Sequence, residues 1–102
     1  MEAILNINIK RILWYVLAGM KGGPTRVRIL RLLLKRPYNM NQLGKELNLD
    51  YKTIQHHIKV LEENKLITSE EKKYGRIYFP SPLLEQNMNI FDEIAKSIKE
   101  EK

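Results

Sequence analysis

Residues 39–64 read NMNQLGKELNLDYKTIQHHIKVLEEN, and two short helices with a tight turn between them are legible in that stretch. Asn39 followed three residues later by Gln42 is a capping box, in which each side chain satisfies a backbone N–H at the helix start. Leu43 and Leu47 then recur at i, i+4 and share one face. Gly44 between them is a poor helix former, but it admits a second backbone close by. Asn48 suits the left-handed conformation that ends a helix, Leu49 is an apolar plug, and Asp50 is a good N-cap for a new helix. That second helix is expected from about Tyr51 to Asn64. Ile54, Ile58 and Leu61 make its buried stripe, with His57 beside them as a core histidine. Lys52, Gln55, His56, Lys59 and Glu63 fall on the opposite face. Two short helices joined by three residues of this chemistry form a helix-turn-helix.

Upstream, Pro24 is expected in the first turn of a helix, where its missing N–H costs nothing. Val27, Leu30, Leu33 and Leu34 form the core stripe of that helix, and Pro37 stops it. Before it, Ile9, Ile12, Leu13, Val16, Leu17 and Met20 recur at three- and four-residue steps, and Lys21-Gly22-Gly23 ends this first helix. Downstream the period changes to two. Leu66–Glu71 and Arg76–Phe79 read as strands around a basic tip, Lys72-Lys73-Tyr74-Gly75, which makes a hairpin. Ser81-Pro82 restarts a helix, and Leu84, Met88, Phe91, Ile94, Ala95 and Ile98 keep helical spacing to the end.

Composition narrows the class. The chain has 102 residues, 43% apolar and 29% charged, which fits one globular domain. It has no cysteine, so neither a disulfide framework nor a thiolate metal site is expected, and that usage is the one expected of a cytoplasmic protein. The apolar run Ile12–Gly19 is far shorter than the about 20 residues that span a bilayer, and no signal peptide is read. The formal charge is +6, and Lys21, Arg26, Arg28, Arg31, Lys35 and Arg36 lie in a segment without acids. Such a balance suggests a polyanionic partner.

The order of elements resembles the ArsR-like winged helix-turn-helix regulators of bacteria and archaea. The likeness rests on Pro24-Thr25-Arg26-Val27-Arg28-Ile29-Leu30, Leu43–Asp50 and His56–Leu61. Leu66-Ile67 opening the hairpin and Gly75–Tyr78 closing it add to it. The fold class expected is mainly α with a small β-hairpin, in the order α-α-α-α-β-β-α. Residues 24–80 would be the DNA-binding core of one domain spanning 1–102. The resemblance implies a homodimer whose terminal helices, 3–20 and 82–100, pair across the interface, and operator DNA held by two recognition helices. The founding members sense metals through cysteines or through ligands in the terminal helices. This sequence departs from that pattern, so neither metal nor cofactor is expected.

Affinity for DNA needs cations on phosphates, and sequence preference needs side chains at base edges. Gln55 can pair bidentately with adenine, Lys52 and Lys59 can reach guanine or phosphate, and Thr53 sits where hydroxyls meet phosphate. His56 faces outward, and Lys72, Lys73 and Arg76 are expected on the backbone or minor groove. Arg26, Arg28 and Arg31 raise the local positive field from a largely solvated face, and at most one of them is expected to contact a phosphate. The dimer interface is expected at Ile9, Leu13, Trp14, Leu17, Leu84, Met88, Phe91, Ile94 and Ile98, because a three-helix core with a hairpin cannot easily cover both terminal stripes; the alternative is that the two helices pack on each other within one chain. The rival class is a winged helix that binds protein as an assembly module without an operator. An enzyme is not expected: the two histidines are adjacent on a helix and point about 100° apart, and no phosphate loop or nucleophile elbow is present. No motif encodes the operator sequence, an effector, or repression versus activation.

Overall fold

A computed structural model describes residues 2–73 and 75–98, with side chains described from residue 8 onward. The expected order of elements is present. Helix α1 (Glu2–Trp14) winds into a π turn at Tyr15–Gly19, and α2 (Gly23–Lys35) starts after a short turn. Helices α3 (Met40–Leu47) and α4 (Tyr51–Glu63) form the helix-turn-helix. Strands β1 (Ile67–Lys72) and β2 (Gly75–Pro80) make an antiparallel hairpin, with Ser69 opposite Tyr78 and Glu71 opposite Arg76. Helices α5 (Pro82–Glu85) and α6 (Met88–Ser97) end the described chain.

One apolar core joins these elements. Leu30 and Leu33 of α2, Leu43 and Leu47 of α3, and Ile54, Ile58 and Leu61 of α4 are all buried in it. Burial of this kind is the main force holding short helices that would be marginal alone. The wing is tied to the same body by a contact that periodicity did not reveal. The Tyr78 amide donates to the Tyr38 carbonyl at 2.9 Å, so the connector between α2 and α3 acts as a one-residue third strand. Tyr38 is buried there, and the Arg36 guanidinium stacks 3.8 Å from its ring centre.

Two expectations about the ends of the chain are corrected. First, the terminal stripes are not left bare by the helical core. α1 and its π turn pack on α6 within one chain, where Ile9, Leu13, Leu17, Phe91 and Ile94 are already buried, and Leu84 of α5 is buried as well. The pairing of terminal stripes assigned to a dimer is thus made, for the named residues of α1, the π turn and α6, inside the chain. Second, the last helix is not continuous from Ser81-Pro82. The Ser81 hydroxyl caps α5 as read, accepting from Leu84 N at 3.1 Å, but the helix breaks after Glu85. The Asn87 side chain donates to the Leu83 carbonyl at 2.8 Å, and its amide closes on Leu84. That local alternative to the helical ladder is what an asparagine offers. Residues 99–100 of the expected C-terminal helix, and Tyr74 of the wing tip, lie outside the described residues.

Candidate nucleic-acid interface

The turn between α3 and α4 is built by the local chemistry expected of it. Asn39 accepts from Gln42 N at 2.8 Å while the Gln42 oxygen accepts from Asn39 N at 2.9 Å. Asn48 adopts φ 55°, ψ 50°, and Asp50 accepts from Thr53 N at 2.8 Å. Those bonds to Thr53 hold the Asp50 carboxyl below its ordinary pKa. Gly44 is the point of closest approach: its carbonyl accepts from Leu49 N at 2.9 Å, and a Cβ there would meet the Leu49 oxygen at 2.9 Å. The turn therefore closes directly onto α3, which fixes the angle at which α4 leaves it.

With its apolar stripe anchored, α4 presents Lys52, Gln55, His56 and Lys59 to solvent. Their i, i+3, i+4, i+7 spacing puts all four on one face, two cations and two hydrogen-bonding side chains without an acid among them. Thr53 is half-buried beside this face. Tyr51, the first residue of α4, is 55% exposed and reads in the sequence as a mere boundary. Its ring borders two surface clefts, one shared with Gly44 and Lys45 of α3 and the other with Arg76 and Tyr78 of the wing. Its position directly after the N-cap was the available signal, since that turn of a recognition helix lies nearest the bases.

The wing places its cations less freely than the sequence suggested. Arg76 donates to Glu71 at 3.0 Å and to the Ser69 hydroxyl at 2.9 Å, and Lys72 pairs with Glu70 at 2.9 Å. Exposed pairs of this kind contribute no more than about 1 kcal/mol, so a phosphate can exchange for the carboxylate at little cost. Lys73 is exposed at the tip. On α2, Arg28 is half-buried and Arg31 exposed, both bordering a shallow cleft with Lys35 and Glu46.

Arg26 is corrected. It is wholly buried and cannot reach a phosphate. Its Nε donates to the Val16 carbonyl at 3.0 Å, Nη2 to the Lys21 carbonyl at 2.8 Å, and Nη1 lies 3.0 Å from His57 Nδ1. Burial, then the neighbouring Arg26 charge and then His56, push the His57 pKa down to about 4. A lowered value means that the unfolded chain takes the proton first. The stability held by neutral His57 is therefore complete above about pH 6.5, is lost as the pH falls from there, and stops falling below about 4. We expect a loss on the order of 2 kcal/mol from this group between pH 7 and pH 4. Urea unfolding at a series of pH values would measure it against His57→Gln, and parallel pH profiles for the two proteins would refute it.

Among the described residues, no group of three or more His, Cys, Asp or Glu side chains could hold a metal ion, and no helix is long and apolar enough to cross a membrane. What the geometry defines is a winged helix-turn-helix: a core-anchored second helix with an acid-free outer row, flanked by a hairpin. Residues 23–69, which take in the whole helix-turn-helix, match the model of the bacterial regulatory protein arsR family. It is 38% identical over 61 residues to an uncharacterized HTH-type transcriptional regulator of Methanocaldococcus jannaschii. That match takes in 56% of this chain and 64% of the relative's length. The fold is similar to the transcriptional regulator HlyU of Vibrio vulnificus, with TM-score 0.64, 17% identity, and coverage of 84% of this chain and 80% of that one. It is similar too to overoxidized AbfR bound to DNA, with TM-score 0.62, 20% identity, and coverage of 87% and 68%.

Proposed function

We infer that this chain is a sequence-specific, double-stranded-DNA-binding transcription regulator and not an enzyme. Helix α4 enters the major groove and the wing, residues 70–77, lies on the adjacent backbone or minor groove. The observation that carries this reading is the exposed row Lys52, Gln55, His56 and Lys59, which holds both phosphate-binding and base-reading chemistry on a helix fixed from behind. The DNA-bound state of AbfR and the description of the archaeal relative support it. Thr53, Lys72, Lys73 and Arg76 take the flanking phosphates, with the wing's carboxylates giving way. The protein acts in the cytoplasm, where its DNA is.

The test is fluorescence anisotropy of the purified chain against genomic fragments, including the region upstream of its own gene, at several salt concentrations. The expected result is one fragment bound at least about a thousandfold more tightly than random DNA, with affinity falling steeply as salt rises. Uniformly weak binding even at low salt would turn the reading toward a protein-binding assembly module.

The regulator acts as a homodimer. With Ile9, Leu13, Leu17, Leu84, Phe91 and Ile94 occupied inside each chain, the surface left for a partner centres on Trp14 and Tyr15, which are 48% and 57% exposed. Met88 and Ile98, both half-buried, border the same helix pair. Two adjacent open aromatics are what an interface anchor requires. Trp14→Glu is expected to turn the dimer into monomer in sedimentation equilibrium without loss of helical signal. An unchanged mass would place the interface elsewhere.

A further inference from the structure

Arg26 is the largest fully buried side chain among the described residues, and its three hydrogen-bond partners, two carbonyls and an imidazole, are all neutral. The two carbonyls belong to the π turn and to the residue before Gly22, so they mark the end of the N-terminal helix. The imidazole belongs to α4. One rigid planar group thus bridges the N-terminal helix and the helix that carries the DNA-reading row. Gly22, at φ 93°, closes over the pair: a Cβ there would stand 2.8 Å from His57 Cε1 and 2.9 Å from Arg26 Nη1.

We propose that Arg26 and His57 are positioning residues for DNA recognition, which fix the roll and axial setting of α4 and so set operator affinity without touching DNA. The proposal rests on the DNA-binding reading above. Ile54, Ile58 and Leu61 give α4 its burial, but apolar contact is non-directional and cores repack around it. The Arg26–His57 bond is directional. Arginine stays charged and only donates, so His57 Nδ1 must accept and its Nε2 must carry the proton, which leaves the pair one arrangement. His57 lies within two residues of Gln55 and Lys59, so any roll that releases it from Arg26 carries the reading row with it. On a helix about 10–12 Å across, a roll of roughly 20° moves a side-chain tip by about 2 Å. That exceeds the tolerance of a hydrogen bond to a base edge.

The test uses the full chain and a duplex of about 25 base pairs, selected by the wild-type protein from a random library and long enough for two half-sites. In the double variant Arg26→Met/His57→Leu the bond between the two side chains gives way to apolar contact, while the Val16 and Lys21 carbonyls lose their donor, so a lower melting midpoint is expected. We expect thermal unfolding to stay cooperative and affinity for the selected duplex to be lowered about tenfold or more. Random-duplex binding and the salt slope should stay unchanged, because no phosphate contact is removed. A folded double variant that binds the selected duplex as wild type does would overturn the proposal, and so would a reduced salt slope. Should that variant not fold, His57→Gln keeps an acceptor for Arg26 whereas His57→Met does not. The glutamine variant is expected to stay near wild type and the methionine variant to lose affinity, and equal affinities would overturn the proposal. A wild-type chain that selects no duplex would sink the DNA-binding reading itself, an outcome distinct from failure of the pair.

Discussion

Alanine at Lys52, Gln55 and Lys59 together is expected to erase the difference between selected and random DNA, a loss of about a thousandfold or more in specific affinity. The three side chains stand on one open face of α4, and none has a structural duty in a cap or in the core. Each good base contact contributes about 1–3 kcal/mol of discrimination, so three removed at once cover most of the gap between specific and non-specific binding. The salt slope should also fall, by about one for each lysine that had been on a phosphate. Folding should hardly change, since exposed substitutions of this kind shift stability within about 0.5 kcal/mol each. The measurement is anisotropy on the selected duplex at several salt concentrations, beside a thermal melt. A triple variant with a native melt and affinity within about tenfold of wild type would mean that α4 is not in the groove, and the protein-binding reading would replace this one.

What the sequence made legible was local. The capping box at Asn39 and Gln42, the left-handed Asn48, the caps at Asp50 and Ser81 and the close approach at Gly44 each depend on residues within five positions of one another. Each formed as its chemistry required. The outward row of α4 was equally readable, because helical spacing alone separates it from Ile54, Ile58 and Leu61. What escaped was set by distance along the chain. Arg26 stands on a helix with other arginines and reads as one more surface cation, yet its partners lie as far as 31 residues away. Tyr38 looked like connector because its one strand partner, Tyr78, comes after the whole helix-turn-helix. The break at Asn87 was hidden under an intact apolar period, since Leu84, Phe91 and Ile94 stay buried on either side of it. The two terminal stripes posed a different problem. Periodicity shows that a face must be covered but not by what, and here α1 and α6 cover each other.

The junction between the π turn and α2 has a strict local requirement, and Gly23→Ala tests it with the largest effect on stability expected of a methyl group added at any of the chain's glycines. Gly23 opens α2 directly against the π turn. A Cβ built on it would fall 1.9 Å from the Leu17 carbonyl oxygen and 2.6 Å from its carbon, both backbone atoms. A flexible side chain could swing aside, but this backbone is held: the neighbouring Val16 carbonyl binds Arg26, and Leu17 itself is buried in the core. Relief would mean prising α2 from the N-terminal helix, at a cost of about 4 kcal/mol, in the range where a small domain loses a large share of its stability. For a chain of this size that lowers the melting midpoint by roughly 15 °C or more. Gly19 is the matched control. It closes the π turn four residues earlier, and its added Cβ would meet nothing nearer than the Trp14 oxygen at 3.6 Å, so Gly19→Ala should be neutral or slightly stabilising. Calorimetry of the two variants side by side decides the matter. If both melt within about 3 °C of wild type, the helix junction is not packed as described. If Gly23→Ala alone collapses, the junction that seats Arg26 behind the recognition helix is as rigid as positioning that helix requires.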